Sequence, residues 1–207
     1  MDLAQPLSSI TPSLDADTLT VLAQTAAPLT GRGVAALTRR GSQPRVQAIL
    51  DRLVAEGLVD AQPAGSSVLY TLNREHLLAG LLIEAAAARD TLLDRIRVQL
   101  EIWPTPPVHV SLFGSVARST AGTRSDVDLL VVRPEDVGAD DERWTAQLAE
   151  LERRVLRWTG NPLSWFETTR DGLAAAVLTG EPLVRSWRDD AVHLYGTRLA
   201  RLLPAVA

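Results

Sequence analysis

The stretch Ser111 to Val132, SLFGSVARSTAGTRSDVDLLVV, constrains the fold of this 207-residue chain more than any other. An apolar run, Val108 to Phe113, ends in Gly114-Ser115. Turn-forming residues follow: Ser119, Thr120, Gly122, Thr123 and Ser125. Asp126-Val127-Asp128 then opens a second apolar run, Leu129 to Val132. Short apolar runs with this β-branched content, bounded by turn residues, read as two buried strands and a connector. Side chains alternate faces along a strand, so Asp126 and Asp128 point the same way and Val127 points into the core. Two carboxylates held close together repel each other, and a cation best keeps both ionised. Mg²⁺ takes oxygen ligands and often shares one or two carboxylates with substrate phosphates. Gly114-Ser115 adds backbone that can approach a phosphate closely, with N–H donors at a helix start. The stretch therefore predicts a site for a metal and a nucleoside triphosphate. The plainer alternative is a strand start that two aspartates merely cap and solvate.

Gly114-Ser115 followed by Ser125-Asp126-Val127-Asp128-Leu129 resembles the polymerase β-like nucleotidyltransferases, most closely their small "minimal" bacterial members. The resemblance implies an NTP substrate and Mg²⁺, or Mn²⁺, held by Asp126 and Asp128. It puts the β- and γ-phosphates on Gly114 and Ser115, with Arg118 and Ser125 as further nucleotide-binding candidates. It implies transfer of a nucleoside monophosphate to a hydroxyl on a protein, an RNA end or a small molecule. The family pattern has glycine after Ala-Arg, whereas here Ser119 follows Ala117-Arg118. The family also takes a third catalytic carboxylate from its third strand, which is Leu163 to Thr168 here. Glu167 is the one acid in that strand and the candidate. Ser164 lies on the opposite face from Glu167 by alternation. If Ser164 holds the ligand position the site is degenerate. If a bulge or offset sets Glu167 beside Asp128 the site is complete. A regulator or antitoxin-like protein with a nucleotide-sensing or degenerate domain is the alternative to an enzyme.

The amino-terminal part reads as a separate module. A loose arm with Pro6 and Pro12 precedes a helix from about Leu14 to Ala26. A second short helix covers Val34 to Thr38. A third carries Val46, Ile49, Leu50, Leu53 and Val54 at helical spacing and ends at Gly57. Strands at Leu58–Gln62 and Val68–Leu72 flank a turn at Pro63–Ser67. Three helices and a hairpin form the order of a winged helix-turn-helix, and Val46 to Leu72 resembles bacterial winged-helix transcriptional regulators. In that family the third helix enters the major groove and the hairpin touches the backbone. The candidate DNA contacts are Arg39, Arg40, Gln43, Arg45 and Gln47. Against them, residues 1–75 hold six Arg and seven Asp or Glu, a weak electrostatic footprint.

Asn73 to Trp103 reads as one long helix, a linker that leaves room for a homodimer seam. Trp103-Pro104-Thr105-Pro106-Pro107 closes it. The expected organisation is α+β: a winged helix-turn-helix over 1–75, a linker helix over 76–105, and a nucleotidyltransferase domain of mixed sheet and helices over 106–207. A helix at Glu142–Thr159 carries Trp144, Leu148, Leu151, Val155 and Trp158 as a core stripe.

Composition narrows the remainder. With no cysteine, disulfides and thiolate metal sites are excluded. Net charge is −4, so any DNA contact depends on a local patch. Every basic residue is Arg, so side-chain phosphate contacts would be guanidinium contacts. The sequence shows no signal peptide and no membrane-length apolar run, which makes the cytoplasm the expected location.

Overall fold

A computed structural model describes residues 1–38 and 41–203. The chain is α+β and divides into two compact units: residues 4–89 with Asp2, and residues from 90 onward with Met1 and Leu3.

In the first unit, α1 (Leu14–Gln24) starts at Ser13, whose hydroxyl accepts from the Ala16 N–H. A two-residue strand, β1 (Leu29–Thr30), leads into α2 (Gly31–Leu37). Next come α3 (Gln43–Ala55), with Pro44 in its first turn, and the hairpin β2 (Val59–Ala64) and β3 (Ser67–Leu72). β1 pairs with β3, giving a three-stranded antiparallel sheet β1-β3-β2. The helix and hairpin order is the one expected. β1 was not expected, because two residues after a proline carry no periodic signal. Val46, Leu50 and Leu53 are buried on one face of α3, the i, i+4, i+7 spacing of a core stripe.

The single linker helix is replaced by two, α4 (Ala79–Ala86) and α5 (Ala88–Glu101). Ala79, Leu82, Ile83 and Ala86 join the core of the first unit. Leu92, Leu93, Ile96 and Leu100 join the core of the second. What reads as one apolar pattern is two stripes in series, each buried in its own core.

The second unit is a four-stranded sheet of order β6-β5-β4-β7. Its strands are β4 (His109–Phe113), β5 (Val127–Val132), β6 (Leu163–Thr168) and β7 (Val192–Gly196). β4 lies antiparallel to β5 and β7, whereas β5 and β6 are parallel. A parallel pair needs a long crossover, supplied by α7 (Glu142–Thr159), which ends at the left-handed Gly160. Val127, Leu129 and Val131 pack with side chains of α5 and α7. Leu130 and Val132 pack on the other face with residues of α8 (Arg170–Thr179) and α9 (Leu183–Asp189). β5 is therefore covered on both sides, which is why it reads as a continuous apolar run. Leu199–Arg201 is a single 3₁₀ turn. Among the described residues, no helix is long and apolar enough to cross a membrane.

Candidate active site

α6 (Gly114–Ala117) is the short turn of helix that follows β4. Phe113 is the strand partner of Asp128, so the Gly114 turn lies against that aspartate. Gly114 adopts φ +73°, and a Cβ built on it would stand 2.3 Å from Asp128 Oδ2. Both the backbone conformation and the close approach require glycine. Asp126 is exposed and Asp128 is partly buried, and alternation puts both on the face of Leu130 and Val132. Burial, and then the charge of Asp126, push the Asp128 carboxyl above its ordinary range, while Arg118 opposes them. Removal from water combined with like-charge repulsion is a strain that a bound cation relieves. The donor set, two carboxylates at a glycine turn, therefore fits a hard divalent cation. Among the described residues, no cluster of three or more His, Cys, Asp and Glu could hold a metal ion.

The parallel register of β6 decides what stands next to the aspartates. Asp128 pairs with Ser164, and Ser164 Oγ donates to Asp126 Oδ2 at 3.1 Å. Glu167 pairs with Val131 on the opposite face. Its Oε1 accepts from Arg133 Nε at 2.8 Å and from the Trp144 indole N–H at 2.9 Å. No bulge interrupts the pairing of β5 with β6, so Glu167 is not brought to Asp126 and Asp128 as a third carboxylate. It anchors α7 to the sheet. Replacing Glu167 with Gln removes the charge that holds Arg133 and should cost about 1–3 kcal/mol, the range for disrupting a partly buried charged hydrogen bond. Chemical denaturation should show that loss, with metal-dependent nucleotide binding at the wild-type level.

The remaining candidates divide. Gly114 and Ser115 sit at the start of α6, next to the aspartates. Arg118 is engaged in a salt bridge to Asp190 Oδ2 at 2.7 Å, with Ser186 Oγ at 3.4 Å. That bridge holds the Asp190 carboxyl below its usual range. Ser119 has φ +55°, the left-handed region favoured by glycine, at the position where the resembled family has glycine. The left-handed turn is borne here by a serine, at some conformational cost. Ser125 closes the connector, its Oγ accepting from the Gly122 N–H at 2.9 Å. Buried Asn161 donates through Nδ2 to the Ser125 carbonyl at 2.7 Å, bracing the residue before Asp126. The sequence marks Gly160-Asn161-Pro162 only as a helix stop, so this bracing role carried no local signal.

In the first unit, Gln43 and Arg45 are exposed on the first turn of α3, and Ser66 and Ser67 lie exposed at the hairpin tip. Gln47 Nε2 donates to Tyr70 Oη at 2.8 Å and to Asp51 Oδ1 at 2.7 Å. Arg39 and Arg40 lie outside the described residues.

Residues 94–162 match the family model described as "Nucleotidyltransferase domain". The match takes in Gly114, Asp126 and Asp128 and stops one residue before β6, so it does not reach Ser164 or Glu167. No curated protein matches the chain. Among solved structures, human N-acetylserotonin methyltransferase in complex with SAM aligns at 20% identity and TM-score 0.29, over 44% of this chain and 31% of that one. TrmBL2, an archaeal chromatin protein described with a novel mode of DNA binding, aligns at 14% identity and TM-score 0.32, over 90% of this chain and 78% of that one. At those scores neither likeness bears on the fold. The chain carries a segment similar to nucleotidyltransferase domains, a match that supports nucleotidyl transfer in general.

Proposed function

We propose that the second unit binds a nucleoside triphosphate with a divalent cation and transfers the nucleotide slowly, because Ser164 stands where an acceptor-activating carboxylate is needed. The observation that carries this reading is the Asp128–Ser164 pairing, with the Ser164 hydroxyl on Asp126. Asp126 and Asp128 would hold the cation. When bound, Mg²⁺ supplies charge neutralisation for the triphosphate and its leaving pyrophosphate. Gly114 leaves the Asp128 carboxylate room to face that ion, since any Cβ there would displace it. Ser164 Oγ donates a hydrogen bond to Asp126 Oδ2, which orients that carboxylate. A neutral hydroxyl does not take up a proton at pH 7, so the acceptor must lose its own without a positioned base. General-base catalysis contributes about 10²–10⁴-fold.

Ser164→Asp tests the reading. With radiolabelled NTP and Mg²⁺, the substitution should raise label transfer by about 10²-fold, the lower end of the general-base contribution. Wild-type transfer as fast as that of Ser164→Asp would refute the idea that Ser164 limits the rate.

We also propose that the first unit binds DNA through the start of α3 and the hairpin tip, coupling nucleotide occupancy to a regulatory site. Exposed Gln43, Arg45, Ser66 and Ser67 support this. A gel shift on the gene's own upstream DNA should appear at low salt and weaken with Arg45→Ala, because one phosphate or base contact is lost. Absence of any shift at low salt would sink the DNA half of the proposal.

A further inference from the structure

The second unit has a recess on the same sheet face as Asp128, further along β4. Two cavities of about 520 and 730 Å³ lie side by side and share His193 and Arg198. Arg188 also lines the first, and Arg170 and Arg201 line the second. Among the described residues, no Asp or Glu lines either. None of these four arginines is ion-paired with a carboxylate among the described residues. Four guanidiniums without a carboxylate, in a chain of net charge −4, form a local positive field.

The interior is neutral and partly apolar. Trp187, Leu199 and Leu203 contribute the apolar lining of the first cavity, and fully buried His109 and Ser111 its polar side. His109 Nδ1–H donates to the Thr197 carbonyl at 2.7 Å, so its Nε2 accepts from the Ser111 hydroxyl at 2.9 Å. Burial holds His109 down to about 4, so it adds no charge at neutral pH. Two buried nitrogens of lining side chains, Trp187 Nε1 and His193 Nδ1, have no hydrogen-bond partner among the described residues. An indole N–H can only donate, so the partner it lacks is an acceptor.

Backbone geometry positions the arginine the two cavities share. Gly196 has φ +75°, and a Cβ there would stand 2.3 Å from the Val108 carbonyl oxygen. The Thr197 N–H donates to that same carbonyl at 2.8 Å. The chain is thereby pinned against β4 just before Arg198. Aromatic packing separates the recess from the aspartates. Trp187 meets Phe113 and Phe166 edge-on, with centroids 6.2 and 4.6 Å away, and Phe113 is the residue paired with Asp128.

We propose that this recess is a second ligand site, separate from Asp126 and Asp128, for a phosphorylated small molecule with an apolar ring: a mononucleotide with its phosphates on the arginines and its base beside Trp187. Guanidinium groups suit phosphate oxygens by their forked geometry. α9 links the two places. Trp187 and Arg188 line the recess, while Ser186 within α9 and Asp190 just past its end hold Arg118, whose charge acts on Asp128.

The test is calorimetric titration of the full chain with ADP and, separately, pyrophosphate, in EDTA so that cation-dependent binding at the aspartates is suppressed. ADP should bind more tightly than pyrophosphate. Arg188→Gln with Arg198→Gln should weaken ADP at least tenfold at an unchanged melting temperature, since both side chains are exposed. Ala200→Trp, which fills the first cavity without removing charge, should give the same loss. Asp126→Asn should leave the EDTA titration unchanged. Absence of ADP binding, equal affinity for ADP and pyrophosphate, insensitivity to the arginine pair, or loss in Asp126→Asn would each overturn the proposal. Failure of magnesium-dependent NTP binding in a separate titration would count against the aspartate site alone.

Discussion

Asp128→Asn is expected to abolish magnesium-dependent NTP binding while raising thermal stability. The two effects share one cause. Burial and the neighbouring Asp126 push the Asp128 carboxyl above its ordinary range, so the charged form is disfavoured in the folded chain. A group with a raised folded-state pKa binds its proton more readily folded than unfolded. Its charged form therefore weakens the fold as pH rises through the ordinary carboxylate range, and that cost persists at neutral pH. Asparagine keeps the shape and removes the charge. Thermal melts at pH 7 should show a higher midpoint than wild type, and the gain should shrink as the pH is lowered and wild-type Asp128 protonates. Titration with a nucleotide analogue and Mg²⁺ should show no binding. A stability loss with binding retained would mean that Asp128 is a structural residue and not a ligand. By the same reasoning, wild-type metal-dependent binding should begin to fall at a higher pH than an ordinary carboxylate would give.

Gly114→Ala should damage both stability and nucleotide binding. The added methyl falls 2.3 Å from Asp128 Oδ2, closer than a Cβ can approach, and 3.2 Å from its Cγ, a tight contact. Asp128 must rotate away or α6 must move. The backbone at φ +73° adds roughly 1 kcal/mol for any residue with a Cβ. Together with the overpacking, a loss of about 2–4 kcal/mol in denaturant unfolding is expected. Metal-dependent NTP affinity should fall at least tenfold. Gly57, which also has a positive φ but no neighbour within 4 Å of a built Cβ, is the control. Gly57→Ala should show only the backbone cost, with nucleotide binding untouched.

Much of this was legible in the sequence because it is local. The span of α7, with its Trp144, Leu148, Leu151 and Val155 stripe and the glycine after it, follows from periodicity and a left-handed cap. β6 spans the expected residues, and β5 contains the expected apolar run and begins two residues before it, at Val127. The two aspartates share a face because strand alternation demands it. The break at Ala87 was not legible, because both halves of the expected linker are apolar at helical spacing and only their separate cores distinguish them. The Gln47–Tyr70 hydrogen bond was not legible, because Tyr70 lies on a hairpin strand distant in sequence.

The sequence alone determined that Asp126 and Asp128 share one face of a strand, since alternation is a property of neighbouring residues. Only the tertiary structure decided what the third strand brings to them. Whether Ser164 or Glu167 stands beside Asp128 depends on the register of two parallel strands joined through an 18-residue helix. A slip of one residue would exchange the faces. Burial of Leu163 and Trp165 against α5 and α7 is what holds that register, which puts the hydroxyl at the aspartates and the carboxylate on Trp144.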